Sequence, residues 1–117
     1  MNKQIYYVAI PYTWNPEKSF EISNKVGALL IEGGYVIFAP VSHSHPISKK
    51  MSPEKVLDQN TWMNQDIPIL RKCDKMILVM IGEDGDRLIN ESKGCQREIK
   101  EAKKAGIPIS YLLYEED

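Results

Sequence analysis

Residues 75–81, "KMILVMI", are of strand length and unbroken in apolar residues after Lys75, with Asp74 before them and "GEDGD" after them. A run of this kind suits a strand buried on both faces, and such strands belong to parallel sheets covered by helices on either side. The rest of the chain must therefore supply more strands and two covering layers.

The order of the other segments fits that demand. Residues 4–10, "QIYYVAI", are β-branched and aromatic and read as a first strand. Asn15 followed by Pro16 marks a helix start, a capping side chain and then proline at the first helical position. This helix runs to about Ile31, with Phe20, Ile22, Val26, Leu29 and Leu30 facing inward, and Gly33-Gly34 end it. "YVIFAP", 35–40, is a second strand, and "VSHSHPISKKM", 41–51, reads as a loop. Ser52-Pro53 repeat the cap-plus-proline start. A helical segment follows through Trp62 toward Cys73, and Pro68 must kink it or open a new helix near Asp66. After the apolar strand, "GEDGDRLINE" reads as a polar loop, Ser92 to Gly106 as a helix, and "IPISYLLY" as the last strand.

This alternation predicts one α/β domain over residues 1–117, a Rossmann-like (flavodoxin-like) three-layer sandwich with a four- to five-stranded parallel sheet. Ligands of such sheets bind beyond the carboxyl ends of the strands. That directs attention to "IPYTWN", "PVSHSHP" and "GEDGDRLINES".

Composition excludes some partners. Fifteen basic against sixteen acidic residues give a net charge of −1, which argues against binding a nucleic-acid polymer. No apolar run reaches the roughly eighteen residues of a membrane span, and the N-terminus reads as a strand rather than a signal peptide. Cys73 and Cys95 lie outside any CxxC motif and suit a reducing, cytoplasmic setting.

Within "ESKGCQREIKEAKKAG" the helical period turns Glu98 toward the apolar side, with Cys95 and Ala102. A carboxylate there is either a satisfied polar residue at the core edge or a partly desolvated group able to act as nucleophile or base. Ser92-Lys93-Gly94 open the same helix. They read as a plain serine cap or as a site where free amides and the helix dipole hold an anion such as phosphate. Neither GxGxxG nor a P-loop is present. Asp66 could cap a short helix, and Asp74 reads as structural. In an extended segment His43 and His45 would point the same way. No third ligand stands at zinc spacing, so phosphate or base contact, or a simple loop role, is favoured over metal. Tyr6 and Tyr7 alternate across the first strand, so one of them faces away from the other toward a helix layer or the site.

Taken together, "YVAIPYT", "FAPVSHSHPI", Trp62 with Asp66 and Asp74, and Ser92-x-Gly94-x3-Glu98 resemble the nucleoside 2-deoxyribosyltransferase superfamily. The closest likeness is to a small phage and bacterial branch of unassigned function, related to the 2′-deoxynucleoside 5′-monophosphate N-glycosidases. The resemblance covers nearly the whole chain. It implies that Glu98 is the nucleophile that attacks the sugar's anomeric carbon. It implies that Asp66 assists the leaving base or orients the nucleophile, and that Tyr7 holds the nucleophilic carboxylate. Ser92 and Gly94 would contact a 5′-phosphate, and Pro11, Tyr12 and Thr13 would line the sugar-phosphate pocket. His43 and His45 are candidate substrate-binding residues, in contact with either phosphate or base. No cofactor or metal is implied, and a homodimer or higher homo-oligomer is. The sequence departs from the family's pattern in two places. "YEED" offers no counterpart to a polar residue that the family supplies across a dimer interface, and the better-known enzymes lack the histidine pair.

Two functions follow from the resemblance: N-glycosidic cleavage of a deoxynucleoside monophosphate by hydrolysis or base transfer, or non-catalytic nucleotide binding or sensing in the same pocket.

Overall fold

The computed structural model describes residues 3–115, so Glu116 and Asp117 of the "YEED" tail lie outside the described residues. Within them, four strands and six helices are formed: β1 (Ile5–Ala9), α1 (Pro16–Glu32), β2 (Val36–Phe38), α2 (Pro40–Ser48), α3 (Pro53–Val56), α4 (Gln59–Leu70), β3 (Lys75–Ile81), α5 (Gly85–Glu91), α6 (Lys93–Lys104) and β4 (Ile109–Tyr114). The strands make one parallel sheet in the order β2-β1-β3-β4.

The register explains the two layers. Tyr7 pairs with Met76 and Val8 with Ile77, so successive residues of both strands point to opposite faces. Tyr7, Ala9, Met76 and Leu78 pack under Met63, Ile67 and Leu70 of α4 and Cys95 and Ala102 of α6. Val8, Ile10 and Val79 pack against Ile22 and Val26 of α1 on the other face. The run 75–81 is thus covered on both sides, as its composition requires. Asp74 ties β1 to β3: its Oδ2 accepts from the Ile5 amide at 2.8 Å, and its own amide donates to the Ile5 carbonyl at 2.8 Å.

The helix ends follow local chemistry. Asn15 accepts from the Lys18 amide at 3.2 Å ahead of Pro16. The chain leaves α1 and α6 through Gly34 (φ 91°) and Gly106 (φ 72°), backbone conformations that side chains with a Cβ rarely adopt.

Several expectations are corrected. Leu29 faces solvent, 67% exposed, while Ile22 and Val26 carry the buried stripe. The segment "VSHSHPIS" is helical rather than a loop. Its serines, histidines and Pro46 are poor helix formers, but contacts with α1 override propensity: Ser42 and Ser23 hydroxyls meet at 2.8 Å, and His45 stacks on Phe20 at 4.5 Å. β2 accordingly stops at Phe38, because Pro40 already begins α2. Residues 85–91 are also helical rather than loop, held by buried Leu88 and Ile89. Gly85 permits this approach, since a Cβ there would sit 3.0 Å from the Cβ of Met80. The helical segment after Ser52 breaks at Asp58, not near Asp66. Asp58 caps α4 by accepting from the Asn60 amide and the Thr61 hydroxyl. Pro68 sits inside the last turn of α4 without opening a new helix.

Candidate active site

The chain runs from β1 to β2 on one side and returns to β3 on the other, so the crevice at the carboxyl end of β1 is a topological switch point. A cleft of about 570 Å³ lies there, with Tyr12 and Thr13 after β1, Ser44 and His45 on α2, Trp62, Met63 and Asp66 on α4, and Ser92, Gly94 and Glu98 on α6 in its walls.

Ser92 is the hinge of the α6 wall. It ends α5 and caps α6, its hydroxyl accepting from the Cys95 amide at 3.1 Å. The first-turn amides of Lys93 and Gly94 have no helical carbonyl to bond. Both residues line the cleft, and Gly94 brings no side chain between its backbone and a ligand. This is an amide-lined, dipole-favoured corner for an anion.

One and a half turns on, Glu98 is buried, 5% exposed, on the face that also buries Cys95 and Ala102. The Tyr7 hydroxyl, itself fully buried, donates to Glu98 Oε2. Asp66, from the middle of α4, is 7% exposed, and its Oδ1 has no hydrogen-bond partner. Asp66 therefore caps nothing and presents an unspent oxygen in the cleft wall.

Electrostatics order the two carboxyls. Burial pushes Asp66 up to about 6. Burial pushes Glu98 up to about 8, the Tyr7 hydrogen bond works against this, and the Asp66 charge adds to it. Asp66 thus ionises first, and its charge then raises the cost of ionising Glu98. Burial and the neighbouring Glu98 and Asp66 charges push the Tyr7 phenol well above its ordinary range, so Tyr7 stays a donor. The Cys95 thiol is likewise pushed up by burial and remains protonated. A protonated and an ionised carboxyl sharing one pocket is the arrangement that acid-assisted cleavage of a glycosidic bond uses.

A family model described as a domain of unknown function, DUF1937, matches residues 4–116. The chain belongs to this family. Among solved structures, this DUF1937 chain is similar to the 2-deoxyribosyltransferase of the psychrotolerant bacterium Bacillus psychrosaccharolyticus, with a TM-score of 0.64 and 14% identity over 97% of this chain and 74% of that one. It is also similar to the 2-deoxyribosyltransferase of Leishmania mexicana, with a TM-score of 0.59 and 20% identity over 97% of this chain and 65% of that one. At these identities the likeness is one of fold, and it is the fold that the sequence motifs resemble. A search of curated proteins returns no match in sequence.

The DUF1937 fold brings Glu98, Asp66, Ser92, Gly94, Tyr12, Thr13 and His45 to one cleft, with Tyr7 reaching it through Glu98. Two expected residues stand elsewhere. Pro11 is buried and acts through its carbonyl, which accepts from the Ser19 hydroxyl at 2.6 Å and the Trp14 indole at 3.0 Å. His43 is exposed and packs beside Phe38. On a helix, residues two apart point in nearly opposite directions, so His43 and His45 separate once α2 is helical. His45 turns inward, yet both its ring nitrogens are engaged, Nδ1 with the Tyr12 hydroxyl at 2.6 Å and Nε2 with Glu17 Oε2 at 2.8 Å.

Ser44 was not visible from the sequence. Its hydroxyl is buried in the cleft wall without a partner. The spacing of Val41, Ser44 and Ser48 would have marked one helical face, but only for a segment already read as a helix. Among the described residues no helix is long and apolar enough to cross a membrane.

Proposed function

We propose that this protein cleaves the N-glycosidic bond of a 2′-deoxynucleoside 5′-monophosphate, with Glu98 as nucleophile. The observation that carries this reading is a buried glutamate, held by Tyr7 and beside Asp66, opening on a cleft whose other corner is the amide-lined start of α6. The similarity of fold to 2-deoxyribosyltransferases supports the same reading.

The reaction needs one proton on the carboxyl pair. A Glu98 carboxylate oxygen bonds to C1′ as the C1′–N bond breaks. The departing electron pair stays on the base, which takes the proton from Asp66. Water then displaces Glu98 from C1′, passing a proton to the Asp66 carboxylate, and gives hydrolysis; an incoming base that loses its N–H proton to Asp66 gives transfer instead. The Tyr7 hydrogen bond favours the ionised form of Glu98 against its burial. Ser92, the Lys93 and Gly94 amides and the Lys93 side chain would receive the 5′-phosphate. Tyr12 and Thr13 would line the sugar side.

Incubation with a panel of deoxynucleoside monophosphates, following free base, tests the proposal. Release of base by the native protein, reduced by on the order of 10²-fold or more in Glu98→Ala, is expected. Full activity in Glu98→Ala would sink the mechanism. A second reading, binding without cleavage, is favoured by one observation: burial holds Glu98 at about 8, so at neutral pH it is mostly the unreactive acid. Thermal stabilisation by a nucleotide that survives intact for hours would select that reading.

A further inference from the structure

His45 is the one histidine in the cleft wall, and it has no nitrogen left for a ligand. Its partners determine what it does instead. Glu17 is exposed, and hydrogen bonds from Lys49 and His45 hold its carboxyl below the usual range, so it is ionised and can only accept. The hydrogen between Glu17 and His45 therefore sits on Nε2. In the neutral imidazole Nδ1 is then a bare lone pair, and the Tyr12 hydroxyl 2.6 Å away must donate to it. Tyr12 has one proton, and it is spent. Ser48, whose hydroxyl also donates to the His45 carbonyl, hydrogen-bonds to the Tyr12 oxygen, so what Tyr12 has left to show the cleft is one acceptor lone pair. Phe20 stacks on the His45 ring and fixes its plane.

A second observation on the same wall points to a ligand. Ser44, the residue before His45, buries an unpartnered hydroxyl in the cleft lining. A buried polar atom left unpaired is costly, and a ligand that pairs it relieves that cost. This wall follows β2, whereas Ser92 and Glu98 follow β3 on the far side of β1.

We propose that Glu17 and His45 are positioning residues that lock the Tyr12 hydroxyl as a hydrogen-bond acceptor, and that Tyr12 and Ser44 together read a donor-bearing edge of the nucleobase. The ligand half rests on the function proposed above. With the sugar at Glu98 and the phosphate at the start of α6, the wall after β2 is left to the base.

The relay is tested without any nucleotide. Nitrogen-15 NMR of histidine-labelled protein near neutral pH should show His45 protonated at Nε2 and bare at Nδ1, and a protonated Nδ1 would overturn the relay. The ligand half is tested by affinities measured in a Glu98→Gln background, so that nothing is cleaved. The probes are deoxyadenosine monophosphate, the same nucleotide with unsubstituted purine, and its 3′-deoxy form. Removing the amino group should weaken binding roughly five- to tenfold, and should have no further effect once Tyr12→Phe is present. Glu17→Gln, at an exposed site, frees the imidazole tautomer and should relax the preference for the amino-bearing purine. Additive losses for amino removal and Tyr12→Phe would overturn base reading by Tyr12. Coupling of Tyr12 to the 3′-hydroxyl would overturn it in favour of the sugar. If no probe binds, both the ligand half and the nucleotide reading fail, and the relay stands or falls on the NMR result.

Discussion

The Tyr7 hydroxyl on β1 donates a hydrogen bond to Glu98 on α6, joining residues 91 apart in sequence inside the core of the sheet. This bond is the link between the fold and the proposed chemistry, because it supports the ionised form of a carboxylate that burial otherwise neutralises.

Tyr7→Phe removes the donor and leaves the ring's packing. The Glu98 carboxyl should move further up from about 8, and cleavage at neutral pH should fall by on the order of 10–100-fold. The alkaline branch of the pH–rate profile reads the shift directly. An unchanged profile would mean that the hydrogen bond does not tune Glu98. The fold should survive, at a cost of about 1–3 kcal/mol for the buried acceptor left unpaired.

Cleavage should follow a bell-shaped pH profile with limbs near 6 and 8, the two steps in which the Asp66–Glu98 pair loses its protons. The profile counts protons on the pair, not their placement, so activity peaks in the one-proton form even though burial puts that proton mostly on Glu98. Asp66→Asn removes the proton donor, so the alkaline limb should disappear and a single rise with the ionisation of Glu98 should remain. Persistence of the alkaline limb in the variant would assign it to another group.

Glu98→Gln should stabilise the protein at alkaline pH. The Glu98 carboxyl rises from 4.5 unfolded to about 8 folded, so its contribution to stability is fully present below 4.5 and is lost as pH rises through 8. Asp66 acts in the same sense between 3.8 and about 6. Glutamine keeps an acceptor for Tyr7 and carries no charge. Urea denaturation near pH 5 should show little difference, and at about pH 9 the variant should lead by a few kcal/mol, since a tenfold change in proton affinity is worth about 1.4 kcal/mol. A wild type that is more stable than the variant at high pH would show that the cleft hydrates Glu98.

Ser92→Ala removes the α6 cap and should cost about 1 kcal/mol of stability. It should also weaken a deoxynucleoside monophosphate more than the matching deoxynucleoside, because only the former has a phosphate at this corner. Equal losses for both ligands would confine Ser92 to its capping role.

The readable part of the fold was the part governed by local periodicity and by helix-end chemistry. The run 75–81, the Asn15-Pro16 start and the inward turn of Glu98 all follow from residues within a few positions of one another. α2 and α5 were not readable, because each is held by contacts made elsewhere: α2 by Phe20 and Ser23 of α1, and α5 by a glycine that lets it settle against Met80. The placement of the histidines failed for the same reason, since an extended segment and a helix send alternate residues to different sides.

By itself, then, the sequence determined a parallel α/β sheet, the strand ends at which a site must lie, and a carboxylate on the buried side of the last helix. Tertiary structure alone decided that Asp66 keeps an unpartnered oxygen, that His45 is committed to Tyr12 and Glu17, and that Pro11 and His43 stand outside the cleft. Periodicity constrains the face a side chain takes. Its partners depend on how elements tens of residues apart are packed, and hydrogen bonding and desolvation, which set the chemistry of the site, depend on those partners.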